Sequence, residues 1–139
     1  GLIGAVAMKK LLLTDKGKGW AGVTIRDPNL LELTADIVAA LNWRGPCEIE
    51  VRRDDDGNYH LIEVNPRFPA WCDLCAGAGQ NLILAVARLA RGETVEPMTE
   101  YRLGTAFIRV SIDQIVDIYQ LEAISTLGER LPEAAKRSA

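Results

Sequence analysis

Cys47-Glu48-Ile49-Glu50-Val51-Arg52-Arg53-Asp54-Asp55-Asp56-Gly57-Asn58-Tyr59-His60-Leu61-Ile62-Glu63-Val64-Asn65-Pro66-Arg67 is the stretch whose reading decides the fold. Two strand-like runs, residues 47–53 and 59–64, flank an acidic break that ends in Asp56-Gly57. That pair supplies the positive φ angles of a two-residue type I′ turn, so the stretch predicts a β-hairpin. Such a turn places Glu50 opposite Glu63 and Glu48 opposite Asn65. Side chains alternate between the faces of a strand, so Ile49, Val51, Ile62 and Val64 fall on the other face, together with Cys47 and His60. A three-residue loop within residues 54–57 is the alternative. It shifts the register by one and sends Glu50 and Glu63 to opposite faces.

Like charges directly across a strand pair, with Cβ atoms roughly 5 Å apart, destabilise a sheet unless something neutralises them. Mg²⁺ is a hard cation that takes carboxylate oxygens together with water and phosphate oxygens. Glu50, Glu63 and the amide oxygen of Asn65 are therefore suitable ligands. The bland reading is a solvated hairpin face whose acids keep the protein soluble. Against it stands the position of Glu63 inside the apolar run Leu61-Ile62-Glu63-Val64, an odd place for a free charge.

These residues resemble the metal-binding end of the ATP-grasp superfamily. The run Gly45-Pro46-Cys47-Glu48-Ile49-Glu50-Val51, the acidic turn and Tyr59-His60-Leu61-Ile62-Glu63-Val64-Asn65-Pro66-Arg67-Phe68 are similar to its carbamoyl-phosphate-synthase-like and biotin-carboxylase-like members. The run Ala76-Gly77-Ala78-Gly79-Gln80-Asn81-Leu82 and a helix ending in Arg91-Gly92-Glu93 extend the likeness, which covers about residues 5–93. It implies that Glu50 and Glu63 bind metal, with Glu63 bridging two ions. Asn65 would be the third ligand, and Arg67 a catalytic and cofactor-binding residue on phosphate or an acyl phosphate. Glu48 has no clear counterpart.

The implied cofactors are ATP and Mg²⁺, with Mn²⁺ as an alternative ion. The implied reaction activates a carboxylate substrate as an acyl phosphate for attack by an amine or similar nucleophile. The other lobe of such enzymes supplies a Gly-rich loop, phosphate-binding lysines and the adenine hinge, and none is visible here. Gly17-Lys18-Gly19-Trp20-Ala21-Gly22 has no G-x-x-x-x-G-K-[ST] and reads as a tight turn, with Lys16 or Lys18 on phosphate as the minor alternative. A start without Met fits a piece of a longer ligase. The expectation is a C-terminal ATP-grasp lobe that is inactive alone and docks on a missing N-terminal lobe. A non-catalytic regulatory or interaction module of the same shape is the alternative. Exposed apolar surface where that lobe docks would favour homo-oligomers in either case.

Composition agrees with one soluble domain, since 139 residues can bury a modest core. A net charge of −3 without a Lys/Arg cluster argues against nucleic-acid binding. No run approaches the ~20 apolar residues of a membrane span, and the apolar start lacks the basic region of a signal peptide. Three cysteines suggest no disulfide framework and suit the cytoplasm. Cys72 and Cys75 form a CxxC, a weak zinc or redox signal, because only Cys47 and His60 remain as further ligands. No Gly-x-Ser-x-Gly marks a hydrolase nucleophile.

The remaining elements follow from periodicity. Strands are predicted at about 3–13 and 20–26, then a helix capped by Asp27 with Pro28 in its first turn and a buried stripe of Leu30, Leu33, Ile37, Val38 and Leu41. A loop containing Pro66 and Pro69 precedes a helix at about 79–91, with Leu82, Val86 and Leu89 on one face and Gly92 as its stop. Trp71 and Asp73 on that loop are candidates to face substrate. A strand at 103–110 and a helix from the capping box Ser111-x-x-Gln114 to about Leu127 come next, and residues 132–139 read as a frayed tail. The fold class is α+β: an antiparallel sheet with helices on its apolar face and the acidic face open. Residues 1–95 form the lobe, and residues 96–139 continue the same domain.

Overall fold

The strand β1, Met8–Leu13, pairs antiparallel with β2, Gly19–Thr24, across a turn in which the Gly17 N–H donates to the Thr14 carbonyl at 2.8 Å. This is a computed structural model that describes residues 1–15, 17, 19–113 and 115–128. Lys16 and Lys18, the alternative phosphate contacts, lie outside the described residues, as do Gln114 and the expected frayed tail. On the far side of β2 lies the short strand β5, Ala106–Ile108, so β2 is the middle of a three-stranded sheet. Gly22 of β2 sits where a Cβ would collide with Met8 Sδ and reach the Phe107 ring at 2.9 Å, so the close packing of β1 and β5 around β2 requires glycine there. Thr24 is buried. Its hydroxyl donates to the Arg102 carbonyl at 2.8 Å and accepts from the Thr105 N–H at 3.0 Å, which ties the approach to β5 onto β2.

The hairpin strands β3, Glu48–Arg53, and β4, Tyr59–Asn65, form a second, two-stranded antiparallel sheet. The architecture is thus α+β with antiparallel pairing within both sheets, its strands divided between the two. Lys10 of β1 reaches Glu50 of β3 at 2.5 Å and links them.

Helix α1, Pro28–Ala40, starts as its sequence requires. The Asp27 carboxylate accepts the Leu30 N–H at 3.1 Å and Pro28 occupies the first turn. Its apolar stripe differs from expectation. Leu30, Leu33, Ile37 and Val38 are only half-buried, Leu41 is exposed, and no residue of α1 is fully buried. Leu30 and Val38 of the stripe, with Leu31 and Thr34, border one side of a cavity of about 1220 Å³, and Leu82, Ala85, Val86 and Leu89 line another. At these two positions the stripe faces space that the described residues leave open.

The loop after β4 contains a helix that periodicity did not show, α2 at Asp73–Ala78, which ends in left-handed Gly79. Leu74, Cys75 and Ala78 of α2 are buried, and α3, Leu82–Ala90, follows with Asn81 as its cap. Six residues of mostly small side chains are too few to display a helical stripe.

The described residues up to 109 form one compact unit and those from 110 to 128 belong to another. In the second, α4 spans Ile118–Leu127 and starts at Asp117, whose carboxylate accepts the Gln120 N–H at 2.8 Å. The helix expected to be capped at Ser111 is therefore capped six residues later, because Asp117 is the residue whose side chain caps a free N–H. Among the described residues, no helix is long and apolar enough to cross a membrane.

Candidate functional site

The β3–β4 hairpin does not close with a two-residue turn. The Asp54 N–H donates to the Asn58 carbonyl at 3.0 Å and the Gly57 N–H to the Asp54 carbonyl at 3.1 Å, with Gly57 at φ 91°, which leaves a three-residue loop. The Asp54 carboxylate holds this wider loop, accepting the Asn58 N–H and meeting the His60 ring nitrogen, each at 2.7 Å. These contacts, the His60 bond first, hold the Asp54 carboxyl down to about 2.

Near the loop the register is shifted by one, with Arg53 opposite Tyr59, Arg52 opposite His60 and Val51 opposite Leu61. His60 consequently lies on the Glu50 face, not the apolar one as expected. Ile62 is then an unpaired bulge residue, and the slip is undone: Glu50 faces Glu63, Ile49 faces Val64 and Glu48 faces Asn65. Loop and bulge cancel, so the expected opposition of the two glutamates is present although its expected cause is not.

Each of the three acids is partnered, and Asn65 is shared between two of them. Glu50 is paired with Lys10. Glu63 accepts from Asn65 Nδ2 at 2.7 Å. Glu48 is the deepest, with its side chain 7% exposed, and takes three donors: Arg67 at 2.8 Å, Trp71 Nε1 at 2.9 Å and Asn65 Nδ2 at 3.4 Å. The residues singled out from sequence are thus brought together, Asn65 directly to Glu63 and Arg67 to Asn65 through Glu48. Sequence reasoning missed Glu48, Lys10 and the role of the Trp71 indole. The signal for Glu48 was present, since alternation puts it on the face of Glu50 and the register puts it opposite Asn65. Lys10 comes from the other sheet, and no local pattern connects it to Glu50.

Two carboxylates and an amide form a hard-oxygen donor set suited to Mg²⁺. Asn65 presents its nitrogen to the acids, and half a turn of the amide exchanges that nitrogen for the ligating oxygen. Among the described residues no group of three or more His, Cys, Asp or Glu is placed to hold a metal ion, so these donors are an open edge and not a closed cage. The CxxC offers less. Cys72 precedes α2, whereas Cys75 is buried, and burial, with the neighbouring Cys72 adding to it, pushes its thiol up to about 11. That is the opposite of an activated thiolate.

Two of the three glutamates border a large open space, whereas Glu63, Asn65 and Arg67 are not among its lining residues. Glu48, Glu50, Trp71 and Cys72 all line the large cavity of the first unit, and Trp71 also stacks on Phe107 of β5, with ring centroids 6.4 Å apart and planes 10° from parallel. Asp73 opens α2 and is not among the lining residues.

The family model described as "ATP-grasp in the biosynthetic pathway with Ter operon" matches residues 2–111. That span contains all five strands, the helices α1 to α3 and every residue of the site. The chain belongs to the ATP-grasp superfamily, a family of ATP-dependent ligase-type domains.

Proposed function

We propose that this chain supplies the metal- and phosphate-facing lobe of an ATP-grasp ligase that activates a carboxylate as an acyl phosphate for attack by an amine or similar nucleophile. The observation that carries the reading is the pairing of Glu50 with Glu63, restored by the Ile62 bulge, with Asn65 bonded to Glu63 beside it. The order of these residues and the loop that follows support a carbamoyl-phosphate-synthase-like or biotin-carboxylase-like member. β5 pairs with β2, which supports continuing the lobe beyond residue 95.

Glu50, Glu63 and Asn65 would hold Mg²⁺. When bound, the ion neutralises phosphate charge and orients the γ-phosphate. Phosphoryl transfer asks the protein mainly to position groups and stabilise charge, and these side chains are suited to that work. Lys10 neutralises Glu50 and the Asn65 amide donates a hydrogen bond to Glu63, which keeps opposed carboxylates compatible with the sheet. Arg67 stands at the exposed end of the same face, where a guanidinium can meet a phosphate oxygen.

The half-buried stripe of α1 and the exposed Leu11, Leu12 and Leu13 support docking of a second lobe, or self-association where that lobe is absent. The site on this chain is one half of a nucleotide site, in a protein whose three free cysteines suit the cytoplasm. Amide NMR titration tests the reading. Mg-ATP should bind weakly, with Kd above about 1 μM, and the binding should require the divalent ion. Submicromolar binding, or ligation by the chain alone, contradicts the half-site.

A second reading, a non-catalytic interaction module, is favoured by the ion pair between Lys10 and Glu50, which satisfies that acid without a metal. In the ligase assembled with its other lobe, Glu63→Gln should abolish ATP-dependent ligation. Unchanged ligation would favour the module.

A further inference from the structure

We infer that Glu48 is a positioning residue for Arg67, a buried carboxylate that aims the guanidinium at the phosphate end of the site; the inference rests on the function proposed above. A carboxylate this far from water is tolerated only when it is paired and hydrogen-bonded. Glu48 meets that condition through residues that the proposed function uses. Oε2 takes Arg67 and, more distantly, Asn65, while Oε1 takes the Trp71 indole.

Arg67 needs such an anchor. It follows Pro66 in a tight turn in which its own N–H donates to the Asn65 carbonyl at 2.8 Å, and its side chain is 55% exposed. A long exposed side chain without a fixed partner samples many rotamers, and ordering it on binding costs affinity. Glu48 holds one edge only: NH1 is drawn to Glu48 and, at 3.4 Å, to the Phe68 carbonyl. Nε and NH2 remain as donors for an anion. The Trp71 indole, stacked on Phe107, fixes the other carboxylate oxygen, so the anchor is itself braced against the three-stranded sheet. Glutamine cannot substitute: its oxygen can keep Trp71, but its NH₂ then faces the N–H groups of Arg67 and Asn65.

The test is a double-mutant cycle on the full chain with Glu48→Gln, Arg67→Ala and both. It is read by Mg-ATP affinity from amide NMR, Mn²⁺ affinity without nucleotide from electron paramagnetic resonance, and the Arg67 Nε–H resonance. Glu48→Gln should weaken Mg-ATP about tenfold, leave Mn²⁺ affinity within about threefold and broaden or shift the Arg67 resonance. The double variant should bind no more weakly than Arg67→Ala alone, because Glu48 acts through Arg67. Additive losses, wild-type Mg-ATP affinity in Glu48→Gln, or Mn²⁺ affinity lost in parallel with that for Mg-ATP, as a merely structural role requires, would overturn the inference. Should Glu48→Gln not fold, Glu48→Asp carries the same cycle, with a smaller loss and the same non-additivity expected. A wild-type chain that binds neither Mn²⁺ nor Mg-ATP overturns the proposed function and this role together. A wild type that binds both, with Glu48→Gln unchanged, overturns this role alone.

Discussion

At the open end of the β3–β4 hairpin Glu48 is buried and takes donors from β4, from Arg67 and from Trp71, whereas at the closed end Asp54 takes its donors from within the loop and from exposed His60. Both are acids beside a cation or potential cation. The setting differs, and with it the consequence of removal. Asp54 is partly exposed and its His60 partner more so, so water can replace these partners, and the tip contacts shape a loop and add little to stability. Water reaches Glu48 poorly, so its loss leaves the Trp71 N–H without its acceptor and frees Arg67 and the loop behind it.

The sharpest way to break this comparison is to truncate both ends. Glu48→Ala should destabilise the chain by about 2 kcal/mol in urea unfolding, after discounting the half of Arg67 that water already reaches. His60→Ala at the tip should move the unfolding midpoint far less. Equal shifts would mean that burial does not separate the two ends.

A smaller effect is expected midway. Ile62 is the unpaired residue between two correctly paired halves of the ladder, so deleting it joins Leu61 to Glu63 without changing any partner. Mn²⁺ affinity should stay within about threefold of the wild type, since each pair keeps its opposite. Loss of binding would show that the bulge shapes the site as well as restoring its register.

The smallest effect belongs to acid. With its carboxyl held down to about 2, mainly by His60, Asp54 contributes stability that is present above its ordinary range near pH 4 and is lost as the pH falls through about 2. His60→Ala should flatten that part of the acid-unfolding profile. Parallel profiles for the two proteins would rule out the tip contact as its cause.

Much of this was legible in the residues, though unevenly. Asp27-Pro28 announced α1 and Gly92 marked the end of α3, because caps are local chemistry, whereas the Asn81 cap that starts α3 at Leu82 went unread. The opposition of Glu50 and Glu63 was legible only in its result. A pattern of period two cannot reveal a three-residue loop and a bulge that cancel each other, and only the displaced His60 betrays them. The Lys10 partner of Glu50 and the Trp71 partner of Glu48 were hidden for another reason. Lys10 lies 40 positions from Glu50 and Trp71 lies 23 from Glu48, and contacts at that range are set by tertiary packing, which no local spacing encodes. The half-buried stripe of α1 read as core because its periodicity is the same whether the helix packs on its own chain or faces a cavity.

Mn²⁺ titration monitored by electron paramagnetic resonance, in the wild type and in Glu50→Gln and Glu63→Gln, tests most directly whether the opposed glutamates form a cation site. Saturable binding weakened at least about tenfold, or about 1.4 kcal/mol, by either substitution is the result expected. Wild-type affinity in both variants would show that the hairpin acids serve the sheet and its surface, and not a metal.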